Sequence, residues 1–240
     1  MACSRTLVGL VGLAAASTVV AQPCGTPWSV HTGTGPSLRE FTAMVYDSVR
    51  NKVVLFGGRL GSTTFYGDTW EWTASGPGGG GTWTLVSMTG PTPRAGMGMA
   101  YDSVRQRTVL FGGYTAFHSS AVVNETWEWN GSTWVQIFPI QSPPPMTGVM
   151  GFDPALGRTV AVSTISSGPE SAATWEYDGT TWNRSQDPTP VSIGGTLAFD
   201  ASRQRMSMLA LQPVALWERR KSGWSLVPHP GPFDNLSGGL

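Results

Sequence analysis

The feature that most constrains this chain is a stretch of about 50 residues that occurs twice almost unchanged. The first copy reads F-T-A-M-V-Y-D-S-V-R-N-K-V-V-L-F-G-G (41–58), then D-T-W-E-W (68–72) and G-T-W-T-L-V (81–86). The second reads G-M-G-M-A-Y-D-S-V-R-Q-R-T-V-L-F-G-G (96–113), N-E-T-W-E-W (124–129) and S-T-W-V-Q-I (132–137). Two looser copies follow. The third has 147–153, 158–165, Trp175-Glu176-Tyr177 and Trp182; the fourth has 196–200, 203–211, Trp217-Glu218 and 224–227. Asp47, Asp102, Asp153 and Asp200 mark the period at spacings of 55, 51 and 47 residues, so the later copies have shed loop length rather than strands.

Each copy holds four short apolar or alternating runs. Val53 to Phe56 is β-branched and aromatic, fit for a strand buried on both faces. An Asp ahead of each second run turns the chain by accepting backbone amides two residues on. Gly57-Gly58 and Gly112-Gly113 allow a bend and the close approach of a neighbouring repeat, whereas the third copy is read as carrying Ser166-Ser167 there. A period near 50 with four strands per repeat is the pattern of a propeller blade. The expected fold is an all-β propeller of about four four-stranded blades, over 37–88, 92–139, 145–186 and 191–227. An extra strand, Cys24 to Thr32 with Trp28, resembles the fourth strand of a repeat. The 11 tryptophans, 31 glycines and 18 prolines suit such a chain, with large flat rings buried between many tight turns.

Residues 1–21 have the form of an export signal: Arg5, an apolar run from Leu7 to Val20, and small residues at Val19 and Ala21 for cleavage. The run is too short to span a bilayer and ends at Gln22-Pro23, so no stable membrane span is expected. The expected location is secreted, periplasmic or cell-envelope. Beyond Ala21 there are 14 basic and 15 acidic residues, which gives no support for a nucleic-acid partner. Cys24 is then the one remaining cysteine, free or joined to another chain. The segment 228–240, with three glycines and three prolines, is read as a poorly ordered tail.

The double glycines after Leu55-Phe56 and Leu110-Phe111, and the aromatic pairs Trp70 with Trp83 and Trp127 with Trp134, resemble the kelch-repeat family. The P-x-x-R lead-ins ending at Arg39 and Arg94 add to the likeness. The nearer likeness is to its secreted branch with a galactose-oxidase-like central propeller. The resemblance implies four-stranded blades with the first strand innermost, usually more than four of them. Copper oxidases of that group use tyrosines, one linked to a cysteine, and two histidines. His31, His118 and His229 are the only histidines here and match no such cluster, so no copper and no other cofactor or metal is expected. No phosphate loop, dinucleotide fingerprint, zinc spacing or nucleophile elbow is visible.

In an up-and-down blade, the loops between strands two and three share a face with the crossings between blades. This face collects Phe65, Tyr66, Tyr114, Phe117 and His118, with Arg39 and Arg94 ahead of the innermost strands. Rings beside hydroxyl and guanidinium donors can stack on and hydrogen-bond a sugar or a polypeptide. The recurrent Glu71, Glu128, Glu176 and Glu218 are read as structural acids, and Asp47, Asp102, Asp153 and Asp200 as turn formers whose partners Arg50, Arg105, Arg158 and Arg203 brace the same hairpin or an adjacent blade. The sequons at Asn124, Asn130, Asn183 and Asn235 matter only in a glycosylating host. The leading functional expectation is an exported, non-enzymatic binding propeller for carbohydrate or extracellular protein. A structural or assembly protein of envelope or matrix is the first alternative, a polysaccharide hydrolase or lyase the second. Four blades leave ring closure open, and a homodimer completing the ring is one solution.

Overall fold

A computed structural model describes residues 34–76, 80–117, 121–163, 173–186, 189–190, 194–211, 214–220 and 223–228. The leader, the Cys24–Thr32 strand with His31, His118, Ser166-Ser167 and the tail from His229 onward lie outside them. The chain begins with β1 (Ala43–Asp47) and β2 (Lys52–Phe56), then a short hairpin of β3 (Arg59–Leu60) and β4 (Thr64–Phe65). β5 (Thr69–Ala74) and β6 (Gly81–Ser87) complete an antiparallel sheet in the order β1-β2-β5-β6. The second sheet runs through β7 (Gly98–Asp102), β8 (Arg107–Phe111), β9 (Thr126–Trp129) and β10 (Trp134–Ile137). The third has β11 (Gly148–Asp153), β12 (Arg158–Ser163), β13 (Thr174–Tyr177) and β14 (Trp182–Arg184). The fourth has β15 (Gly195–Asp200), β16 (Arg205–Leu211), β17 (Val214–Arg220) and β18 (Gly223–Leu226). Each sheet is an up-and-down meander, and its first strand packs against that of the next: β1 on β7, β7 on β11, β11 on β15. The architecture is all-β with propeller-like blades.

The same turn opens every blade. Asp47 Oδ1 accepts from the backbone N–H groups of Val49 and Arg50 at 3.1 and 3.0 Å, and Asp102, Asp153 and Asp200 repeat the geometry. The fourth turn residue, Asn51, Gln106, Gly157 or Gln204, is left-handed in all four. Arg50 then joins Asp47 to Glu71 at 2.7 and 2.5 Å, Arg105 joins Asp102 to Glu128, and Arg203 joins Asp200 to Glu218. The third blade corrects one expectation. Arg158 does not brace Asp153, because the bracing residue stands three positions after the Asp, and there the chain has Leu156. Glu176 is instead met by Arg219 from the following blade.

The core lies between the sheets. Val54 and Phe56 of the first face Met99, Leu110, Trp129 and Trp134 of the second. Val109 and Phe111 likewise face Met150, Ala161, Tyr177 and Trp182, and Val160 and Val162 face Leu197, Met206, Met208 and Trp224. At Gly57 and Gly112 φ is 64° and 71°, and an added Cβ would lie 2.7 Å from Arg94 O and 2.2 Å from Met146 O. The second glycine of each pair donates its N–H to that same carbonyl, Gly58 to Arg94 and Gly113 to Met146. The glycine pairs therefore dock each blade on the lead-in to the next. In the third blade Ser163, pairing with Gly148, takes the register of Gly57. That register, rather than Ser166, marks where the glycine is lost.

Candidate functional site

The lead-ins and the loops after the second strands meet on one face of the first two blades. Glu40 and Arg59 form a two-way backbone bridge at 2.8 and 2.9 Å, Ala95 and Tyr114 another at 3.0 and 2.9 Å. These pairings fix where the side chains of this face emerge.

Arg39 and Arg94 are anchors in this arrangement. Arg39 donates to Asp68 Oδ1 and Oδ2 at 2.6 and 3.0 Å and to Gly57 O at 3.0 Å, with its guanidinium 4.1 Å from the centre of the Tyr66 ring. Arg94, 0% exposed, donates to Glu125 Oε2 at 2.5 Å and to Gly112 O at 3.2 Å. Each carboxylate also accepts from an indole, Trp70 Nε1 to Asp68 at 2.6 Å and Trp127 Nε1 to Glu125 at 2.9 Å. Burial works to raise both carboxyls. For Asp68 the bonds from Arg39 and Trp70, and for Glu125 those from Trp127 and Arg94, outweigh it and hold both below the ordinary carboxylate range. The repeat thus builds an Arg–carboxylate–Trp clasp twice.

The surface between the clasps is aromatic. Phe65 meets the ring of Tyr114 edge-on at 5.8 Å. Arg59 places its guanidinium carbon 4.6 Å from the centre of Phe117, 4.9 Å from Phe41 and 5.8 Å from Tyr114. Its Nη2 pairs with Glu40 Oε1 at 3.0 Å, while the stacked rings shut its Nε–H away from any acceptor. Burial pushes the Tyr114 phenol above its usual value, with the charge of Arg59 opposing and that of Glu40 adding to the shift. Phe41 and Phe117 remain 56% and 63% exposed. Tyr114, Ala116, Phe117 and Val122 line a hollow of about 260 Å³. Phe65, Tyr66 and Asp68, with the 88–93 linker, line a groove of about 580 Å³.

Of the residues singled out in the sequence, Phe65, Tyr66, Tyr114 and Phe117 therefore come together, Arg39 and Arg94 hold the frame beneath them, and His118 lies outside the described residues. Sequence reasoning missed Phe41, Arg59 and Glu40. One signal was available. Phe41 occupies the repeat position of Gly96 and Gly194, and all three have left-handed backbones, with φ of 53°, 64° and 77°. A bulky residue there costs roughly 1–2 kcal/mol of strain that glycine avoids.

The arrangement offers stacking surface and a cation, not paired acids. Glu71, Glu128 and Glu218 are each tied to a guanidinium of their own blade, and Glu176 to Arg219. Among the described residues no group of three His, Cys, Asp or Glu side chains is placed to hold a metal ion, and no helix is long and apolar enough to cross a membrane.

In comparisons of sequence, no family model and no curated protein matches the chain. Among solved structures, the chain is similar to the structure of YjhT, with a TM-score of 0.58 at 14% identity, over 82% of this chain and 68% of that one. A crystal structure of a nidogen/laminin complex matches more weakly, with a TM-score of 0.48 at 13% identity, over 80% and 65% of the respective chains. At 14% identity the likeness to YjhT is one of fold alone.

Proposed function

We propose that this chain is an exported, non-enzymatic binding module of kelch-like type that engages an extracellular protein through the face carrying Phe41, Arg59 and Phe117. One observation carries the reading. Two exposed rings flank a guanidinium that is itself almost buried, and one ring is held there on a left-handed backbone where the second and fourth blades use glycine. Aromatic and Arg side chains in a pre-ordered cluster are the residue types that dominate binding energy at protein interfaces. The groove beside Tyr66 and Asp68 supports a second reading, a carbohydrate stacked on the aromatic edge.

The test is binding of the exported protein, immobilised, to a panel of extracellular proteins and polysaccharides, in parallel with a Phe41→Gly/Phe117→Ala variant of matched melting temperature. Loss of protein binding in the variant supports the reading. Full binding by the variant overturns it. Binding of glycans alone, abolished by Tyr66→Ala, transfers the function to the groove.

A further inference from the structure

Arg39, Arg59 and Arg94 all belong to the loop face of the first two blades, and Arg59 is not built like the other two. Arg39 makes five side-chain hydrogen bonds and Arg94 four, so both spend their donors on holding the frame. Arg59 does not. Among the described residues its side chain meets one acid, Glu40, through Nη2 at 3.0 Å, and no backbone carbonyl. Its Nε–H is buried without an acceptor, a rare condition for a polar group inside a folded protein. The repeat does not require the pair either, since the second blade puts Ala95 and Tyr114 at the bridge positions that hold Glu40 and Arg59 in the first. The Arg59 side chain is 11% exposed, packed by Phe41, Tyr114 and Phe117, whereas that of Glu40 is 51% exposed. The cation is therefore fixed and its acid is loose.

We infer that Arg59 is a carboxylate-binding site, that its ligand is a carboxylate carried beside a large apolar group on a polypeptide, and that Glu40 stands in for this ligand until it arrives. The inference rests on the loop-face reading proposed above and adds the partner's chemistry to it. A planar guanidinium matches a carboxylate through two donors, and rings that keep water off it strengthen the pair. An ion pair to a half-exposed Glu contributes little, so Glu40 is cheaply displaced. Charge alone does not favour the exchange, because one carboxylate replaces another. The apolar group decides it. Phe41 and Phe117 leave more than half of their surface open, and Phe117 and Tyr114 are also walls of the hollow of about 260 Å³ closed by Ala116 and Val122. A ligand whose carboxylate lies next to an aromatic or long aliphatic group covers this surface, which Glu40 leaves bare. A chain terminus and an Asp or Glu side chain both supply the carboxylate, and the test separates them.

The experiment is an NMR titration of the exported protein with three probes: N-acetylphenylalanine, its amide, and N-acetyl-aspartyl-phenylalanine amide. The carboxylates are expected to bind about tenfold or more tightly than the neutral amide. Preference for N-acetylphenylalanine assigns the site to a chain terminus, preference for the aspartyl peptide to an internal acidic residue, and either supports the inference. Glu40→Gln removes the competitor at an exposed position and should tighten carboxylate binding about threefold or more. Arg59→Gln should abolish the preference for carboxylate over amide, with unchanged near-ultraviolet circular dichroism as the check on folding. Arg59→Lys, which keeps the charge and loses the fork, should retain part of it. Equal affinity for acid and amide, no carboxylate binding up to about 10 mM, a preference that survives Arg59→Gln, or affinity unmoved by Glu40→Gln each overturn the inference. Should the probes fail while protein capture still depends on Phe41 and Phe117, this inference falls and the loop-face reading stands.

Discussion

Trp134 Nε1 donates a 2.8 Å hydrogen bond to Thr69 Oγ1 across the junction of the first and second blades, with Thr69 fully buried. Thr69→Val keeps the shape of the side chain and removes the acceptor, stranding a buried indole N–H. The expected loss is about 1–3 kcal/mol, seen as a lower urea midpoint at unchanged m. Thr69→Ser retains the hydroxyl and should lose distinctly less. Equal losses in the two variants would show that the methyl group, not the bond, holds the junction.

The glycine pairs make a sharper prediction. Gly112→Ala puts a Cβ 2.2 Å from the Met146 carbonyl on a left-handed backbone, and Gly57→Ala one 2.7 Å from Arg94 O. Both are expected to destabilise by more than 1 kcal/mol, roughly the magnitude of the backbone penalty alone. Gly61→Ala has the same sign of φ and nothing within 4 Å, so it isolates the backbone share. A thermal melt of the three variants separates the terms.

Acid should unfold the protein through the two clasps. Asp68 and Glu125 have folded pKa values below their ordinary 3.8 and 4.5. Their contribution to stability is therefore complete above those ordinary values, and it is lost as pH falls through them toward the lower folded values. Glu125→Gln should lower stability at pH 7 and flatten its decline below about pH 5. Urea titrations at stepped pH decide this, and an acid limb as steep as that of the wild type would exclude Glu125 from it.

Phe41→Gly separates binding from folding. The variant gives the first blade the glycine of the second and fourth, relieving a left-handed Phe at φ 53° while loosening the unfolded chain. These effects oppose each other, so stability should move by less than about 1 kcal/mol. Ligand capture on the loop face should nevertheless fall. A large drop in melting temperature would mean that the ring is structural.

The blades were legible because Asp-x-x-Arg turns, Gly-Gly and Trp-Glu-Trp recur with matching spacing. The loop-face rings Phe65, Tyr66, Tyr114 and Phe117 followed from the meander alone. Arg158 was misplaced because a basic residue two positions late in the turn looks equivalent until the Asp153 hydrogen bonds fix the register. Phe41 escaped because an apolar residue before a strand reads as strand. What sets it apart is a backbone angle, visible in sequence only as the glycine that the second and fourth blades carry there. The exposure of Met44, 57% against 6% for Met99, was illegible for a different reason: coverage belongs to a neighbour, and the two look alike in the chain.

Among the described residues the glycine docking and Trp-to-Thr bonds run between consecutive blades, which has a consequence for how the molecule comes apart. Free energy in such an array passes from neighbour to neighbour, so the second and third blades, supported on both sides, form its most protected segment. Fraying begins at the ends, and amide exchange should be slowest in β8 and β12 and fastest in β1 and β18. Any contact that caps an end, whatever its source, slows the whole series at once.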